Sequence, residues 1–176
     1  MIVYRTLNET EIVPALFSNF VRKQVVQKVL RRAENGWAVV DAPFIDDWSA
    51  NEYLFLCDCL QNTVRTGGFV LGAFYDGRLK GFASVEPGPL GSCGQYLDLS
   101  CIHVSADMRG EGIGKHLFSE AKQWAKAHGA QKLYISSHSA VETQAFYHTM
   151  GCVDAEEQIA EHVEREPYDR QLECAL

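Results

Sequence analysis

A chain of 176 residues, 47% of them hydrophobic, is the size of one domain (1–176) with enough apolar side chains for a sizeable core. Its 16 Lys and Arg against 23 Asp and Glu give a formal net charge of −7, which argues against a nucleic-acid partner and fits a small cationic or amine one. No run approaches the roughly 18 apolar residues of a membrane span, and MIVYRTLNETEIVP has no apolar core behind basic residues, so neither a membrane partner nor a secretory leader is expected.

The six cysteines, Cys57, Cys59, Cys93, Cys101, Cys152 and Cys174, lack paired Cys-x-x-Cys or His-x-x-x-His spacing. They read as reduced thiols of a cytoplasmic protein, and no metal is expected. Ile2 to Leu7 alternates weakly and reads as a first strand. Asn8 with Glu11 has the form of a capping box, and Pro14 belongs near the start of the helix that follows. A second helical pattern runs from Phe20 to Ala33, carried by Val21, Val25 and Val29, and Asn35-Gly36 ends it.

Trp37 to Trp48, WAVVDAPFIDDW, reads as an irregular stretch. Two readings of it stay open. One is an acidic, aromatic-lined mouth for an amine, with Asp46 and Asp47 touching substrate. The other is a surface loop in which Asp47 helps start the next helix. Ser49-Ala50-Asn51-Glu52 is a capping box for a helix reaching about Arg65, stopped by Thr66-Gly67-Gly68. Phe69 to Tyr75 and Leu79 to Val85 are strands joined by the tight hairpin signal Asp76-Gly77. Pro87-Gly88-Pro89 breaks the chain before the central strand.

That strand opens the most informative run, Leu97 to His128. After Val104 and a polar break comes Arg109-Gly110-Glu111-Gly112-Ile113-Gly114. A long helix follows, with Ile113, Leu117, Ala121, Trp124, Ala125 and His128 on one face and Gly129 at its end. Lys132 to Ser136 is a short strand, and Thr143 to Met150 is helical. Val153 onward and Asp169 to Ala175 read as two last strands joined by an acidic loop. Hairpin strands are antiparallel, whereas the strand–helix–strand unit from Leu97 to Ser136 should be parallel. The fold class is α/β, a mixed sheet with helices on both faces.

A strand feeding a glycine-rich turn at a helix N-terminus holds phosphate well. The first helical turn has unpaired N–H groups, the macrodipole adds positive charge, and glycines let an anion approach the backbone. The Walker pattern fails at Arg109 and His116; the dinucleotide pattern fails at Lys115 and at Gln131–Lys132. What remains, Arg109-x-x-Gly112-x-Gly114, resembles the acetyl-CoA pyrophosphate loop of the GNAT superfamily of N-acetyltransferases. A second block, Ala145 to Cys152, supports the resemblance. Tyr147 and Gly151 match the family pattern there, while Cys152 replaces its usual aromatic and Ala140 its frequent Asn. The two blocks span about 97–152.

The resemblance implies a central mixed, mostly antiparallel sheet flanked by helices, with splayed central parallel strands. It implies acetyl-CoA as cosubstrate, its pyrophosphate on Arg109, Gly110, Glu111, Gly112, Ile113, Gly114 and Lys115, and its thioester beside the backbone of Ile102, His103 and Val104. Tyr147 matches the family's proposed general acid. Asp98, six residues before Val104, stands where some members place a glutamate base, and Glu86 at the end of the neighbouring strand is the other candidate. By alternation His103 shares a face with Leu97, Leu99 and Cys101, as a packed histidine. Ser137 and His138 are open candidates for cofactor or acceptor contact. The expected activity is acetyl transfer to a primary amine, of a small molecule, by direct attack in a ternary complex. Two alternatives remain: a non-catalytic acyl-CoA-binding regulatory module, and acetylation of protein N-termini or lysines. Many family members pair, so a homodimer is open too.

Overall fold

The computed structural model describes all of residues 1–176. In chain order the elements are β1 (Ile2–Thr6), 3-10 turns at Glu9–Glu11 and Pro14–Phe17, β2 (Gln24–Ala33), β3 (Gly36–Asp46) and α1 (Ala50–Arg65). Then come β4 (Phe69–Tyr75), β5 (Arg78–Val85), β6 (Tyr96–Val104), a 3-10 turn at Ala106–Met108 and α2 (Ile113–Ala127). The chain ends with β7 (Lys132–Ser137), α3 (Val141–Thr149), β8 (Val153–Asp154), α4 (Ala160–Arg165) and β9 (Arg170–Ala175). Seven strands form one sheet in the order β1-β4-β5-β6-β7-β9-β8, and β2 and β3 form a separate ribbon. No helix is long and apolar enough to cross a membrane.

Every pairing in the large sheet is antiparallel except β6 with β7. That parallel contact is brief, running only from Tyr96↔Lys132 to Asp98↔Tyr134. Beyond it β6 stays with β5 as far as Val104, and β7 stays with β9 as far as Ser137. The two middle strands therefore diverge and leave a wedge at their C-terminal ends. The mixed sheet with splayed parallel strands has the expected form.

Two apolar layers cover the sheet. Leu56 and Leu60 of α1 pack with Ile12, Phe17 and Phe82 on one face. Ile113, Leu117 and Ala121 of α2 pack with Leu97, Leu99 and Leu133 on the other, joined by Tyr147 of α3. Leu117 is fully buried at the centre of that second layer. Leu117→Ala should cost about 2–5 kcal/mol through the cavity it leaves, read as a lower urea midpoint at unchanged slope.

The region from Phe20 to Ala33 is a correction. It is not a second helix; from Gln24 it is a strand, hairpinned to β3 by a two-residue turn that pairs Ala33 with Gly36. The stretch Trp37 to Trp48 is correspondingly a strand as far as Asp46 rather than an irregular loop. The run Val25, Val26, Val29 has strand-favouring β-branched chemistry. The four-residue spacing of Val21, Val25 and Val29 fits an alternating strand as well as a helix, and of the three only Val29 is buried. The Asn8 capping box does form, but over a single 3-10 turn. The acidic loop near the C-terminus contains α4.

Candidate active site

The turn after β6 is built by short polar contacts. Ser105 is fully buried, its N–H donating to the Lys80 carbonyl at 2.8 Å and its Oγ accepting from Val21 N–H at 2.8 Å. Lys80 Nζ donates to the Asp107 carboxylate at 2.6 Å and to the Asn19 carbonyl at 2.7 Å. Lys80, then the Ser105 hydroxyl, hold the Asp107 carboxyl below its usual range. From this anchored base the chain turns through Gly110 (φ +88°) and Gly112 (φ +78°), the latter being the N-cap of α2. A Cβ at either glycine would meet no atom within 4 Å but would be held in the left-handed region. None of the amides of residues 109–115 finds an acceptor within the protein. Gly110, Glu111, Gly112 and Lys115 are exposed, so these donors face outward. The Arg109 side chain turns away from them, its Nε donating to the Val104 carbonyl at 3.3 Å and its Nη2 to the Arg22 carbonyl at 3.4 Å.

The proposed proton carriers stand in different settings. Tyr147 is buried against Phe146 and Phe118, with ring centroids 5.2 and 6.2 Å away. Its hydroxyl bonds nothing in the protein and is not sealed off. Burial first, then the Cys152 and Cys101 thiols and the carboxylates of Asp169 and Asp98, push its pKa up, so the phenol keeps its proton. Asp98 belongs to the last paired position before the splay, and its carboxylate lies 3.0 Å from His162 Nε2 of α4. His162 in turn stacks on Tyr134 at 5.5 Å. Glu86 is placed differently: it accepts from Thr63 Oγ1 and Ser100 Oγ, each at 2.7 Å. Asp169, which the sequence did not single out, stands at the foot of β9 and accepts from Ser136 Oγ at 3.1 Å. Burial raises its pKa against that hydrogen bond.

His103 also departs from the alternation. Val85 pairs with Leu99 and Ser84 with Cys101, so Ser100 is an extra residue in β6. The bulge reverses the facing of everything after it. Ile102 and Val104 join Leu97 and Leu99 toward α2, while Cys101 packs on the α1 side. His103 shares that second side, 4.8 Å from Trp48 and 5.4 Å from Phe82, not the face of Leu97 and Leu99. Burial, then the charges of Arg22, Arg109 and His138, lower its pKa to about 3.

Folding thus favours neutral His103, and the unfolded chain binds more protons between pH 6.5 and about 3. The stability it contributes is full above pH 6.5 and lost as pH falls through that window. His103→Phe should flatten the stability-versus-pH slope there, as read by urea unfolding across the range.

Neither acidic residue of the expected mouth is a free acid lining it. Asp46 pairs with Arg22 Nη2 at 2.5 Å, and the exposed Asp47 accepts from Trp48 N–H at 2.8 Å. The β2–β3 ribbon instead roofs the wedge. Leu30 N–H donates to the Ser139 carbonyl at 2.8 Å, Arg31 Nη1 reaches Ser139 Oγ at 2.8 Å, and Phe44 lies 5.8 Å from His138. Sequence reasoning missed Arg22 and Trp48, because both fall in segments whose partners lie far along the chain.

No curated protein matches the chain in a sequence search. Solved structures do match it over their full length. A Bacillus anthracis strain Ames protein assigned as a streptothricin acetyltransferase, in complex with acetyl coenzyme A, aligns with a TM-score of 0.72 at 16% identity, covering 100% of this chain and 99% of that one. Nourseothricin acetyltransferase aligns at 0.65 and 19% identity, covering 98% and 95%. PaiA N-acetyltransferase from Thermoplasma acidophilum, in complex with coenzyme A, aligns at 0.62 and 15%, covering 100% and 99%. At such identities the likeness is one of fold. Residues 26–152, most of the chain, match the model of the acetyltransferase (GNAT) family, and the chain belongs to that family.

Proposed function

We propose that the protein transfers the acetyl group of acetyl-CoA to a primary amine of a small molecule, by direct attack with both substrates bound. The observation that carries this reading is the row of unpaired amides at 109–115 opening beside the wedge between β6 and β7. The cradle suits a pyrophosphate: fixed N–H donors at a helix N-terminus, and two glycines whose absent side chains leave it open. Lys115, Lys122 and Lys126 line a solvent-open hollow of about 420 Å³ between α2 and the end of α3, a cationic wall for further phosphate charge. Structural neighbours named for streptothricin and nourseothricin support a small-molecule amine.

Bound acetyl-CoA supplies an activated acetyl group as its thioester. In our reading the chain supplies the rest. Backbone N–H groups of Ile102 to Val104 that face the wedge have no strand opposite, and one aimed at the developing oxyanion contributes about 3 kcal/mol. Freeing an alkyl ammonium of its proton at pH 7 costs about 4–5 kcal/mol. Asp98, with His162 3.0 Å away, receives that proton directly or through water. Tyr147, kept protonated, gives a proton to the departing thiolate. Glu86, held by Thr63 and by Ser100 at the bulge, is the second candidate to receive the amine's proton.

Thiol release from acetyl-CoA, followed with a thiol reagent across a panel of amines, tests the reaction. Release that depends on an amine is expected. Tight acetyl-CoA binding with no release from any amine would instead mark a non-catalytic module.

A further inference from the structure

Arg22 is a costly residue to bury. It lies in the link between Phe17 and β2, and that link is fastened to the end of the central strand. Val21 donates to Ser105 Oγ at 2.8 Å, Ala106 donates to the Val21 carbonyl at 2.8 Å, and Arg109 reaches the carbonyl of Arg22 itself at 3.4 Å. The Arg22 side chain is 8% exposed. Its head lies over the Trp48 ring at 4.6 Å, and Trp48 meets His103 edge-on at 4.8 Å, one residue from the end of β6.

A guanidinium offers five N–H donors in a planar fork. Here it has one acceptor, the Asp46 carboxylate on Nη2. Its Nε is sealed from solvent with nothing to bond, the only buried side-chain nitrogen or oxygen in the chain so placed. Nη1 also bonds nothing, yet is not sealed. Arg109 adds a second guanidinium nearby, and both charges bear on His103. The acceptor end of the wedge, walled by Trp48, His103, Phe44 and His138, thus holds two guanidinium groups, with Asp46 paired to Arg22 and the charges of Glu52 and Asp47 close by. A carboxylate meets an arginine with donors to spare, and Arg–carboxylate recognition is strongest when more than one N–H takes part.

We propose that Arg22 binds a carboxylate of the acceptor, so that the acceptor is an amine that also carries a carboxylate, an amino acid or a short peptide. The carboxylate sits on the Nη1 side of Arg22 and the amine turns toward the wedge. The fate of the amine rests on the acetyl-transfer reading; the anion site stands on Arg22 alone.

Matched pairs test this: phenylalanine against phenethylamine, and lysine against cadaverine. Each is titrated by calorimetry into the CoA-loaded full chain and assayed separately for thiol release with acetyl-CoA. The carboxylate member should bind about tenfold or more tighter, as one charge-assisted pair provides. Arg22→Gln should bring the members of each pair to within about twofold of each other, with CoA affinity reporting that the variant is folded. Should that variant not fold, Asp46→Asn, which frees Arg22 of its partner, should widen the preference. Equal binding of paired members, a preference that survives Arg22→Gln, or a preference that Asp46→Asn fails to widen overturns the anion site. Thiol release that ignores the carboxylate also overturns it and leaves acetyl transfer standing. Carboxylate-selective binding without thiol release from any pair supports the anion site and overturns acetyl transfer.

Discussion

Gly112→Val is expected to weaken acetyl-CoA binding by about a hundredfold or more. Two effects combine. At φ +78° a β-branched side chain is strained, at a cost of about 1–3 kcal/mol to the folded state. The new side chain also stands in the open space over the unpaired amides of 109–115, where each charge-assisted hydrogen bond lost costs about 1.5–3 kcal/mol. Gly112 packs against nothing, so no core contact is disturbed and the protein should fold with a modestly lower melting temperature. Calorimetric titration of the variant reads the binding loss. Gly112→Ala should fall between variant and wild type. Wild-type affinity in Gly112→Val would mean that the pyrophosphate lies elsewhere.

The second large effect is Tyr147→Phe, expected to lower kcat by about 10²–10³ while leaving acetyl-CoA affinity within about twofold. The phenol suits the test because its hydroxyl makes no hydrogen bond in the protein. Removing it therefore leaves no partner unsatisfied, and the ring still packs on Phe118 and Phe146. Thermal stability should hardly move. A matching drop in stability, or full turnover, would take the proton-donor role from Tyr147. An unchanged acetyl-CoA titration beside lost turnover would also separate an enzyme from a module that merely senses acyl-CoA.

The unit from Leu97 to Ser136 was legible because its signals are local. Alternation before Val104, glycines at two left-handed positions and a continuous apolar stripe on α2 each act within a few residues. The Asp76-Gly77 hairpin and the Ser49–Glu52 box were legible for the same reason. The β2–β3 ribbon was not. Its stabilisation comes from Ser139 and Ala140 more than a hundred residues on, and the four-residue spacing of Val21, Val25 and Val29 fits a helix as well as a strand. A single extra residue at Ser100 put His103 on the face opposite to the one alternation assigns. Of the proposed site, the candidate phosphate cradle and Tyr147 could be named from motif and turn chemistry. Arg22, Trp48 and Asp169 were not, because they reach the wedge only through the packing of the ribbon, α1 and β9 around it.

The central claim is that the amides around Gly110 to Gly114 hold the phosphates of CoA. A ¹⁵N-amide NMR titration of the labelled chain with CoA observes those groups one by one. The account predicts that Gly110, Gly112, Ile113 and Gly114 show the largest shifts and gain protection from solvent exchange, with Gly129 at the far end of α2 unmoved. Shifts confined to other parts of the chain, with the 109–115 amides unchanged at saturating CoA, would contradict it.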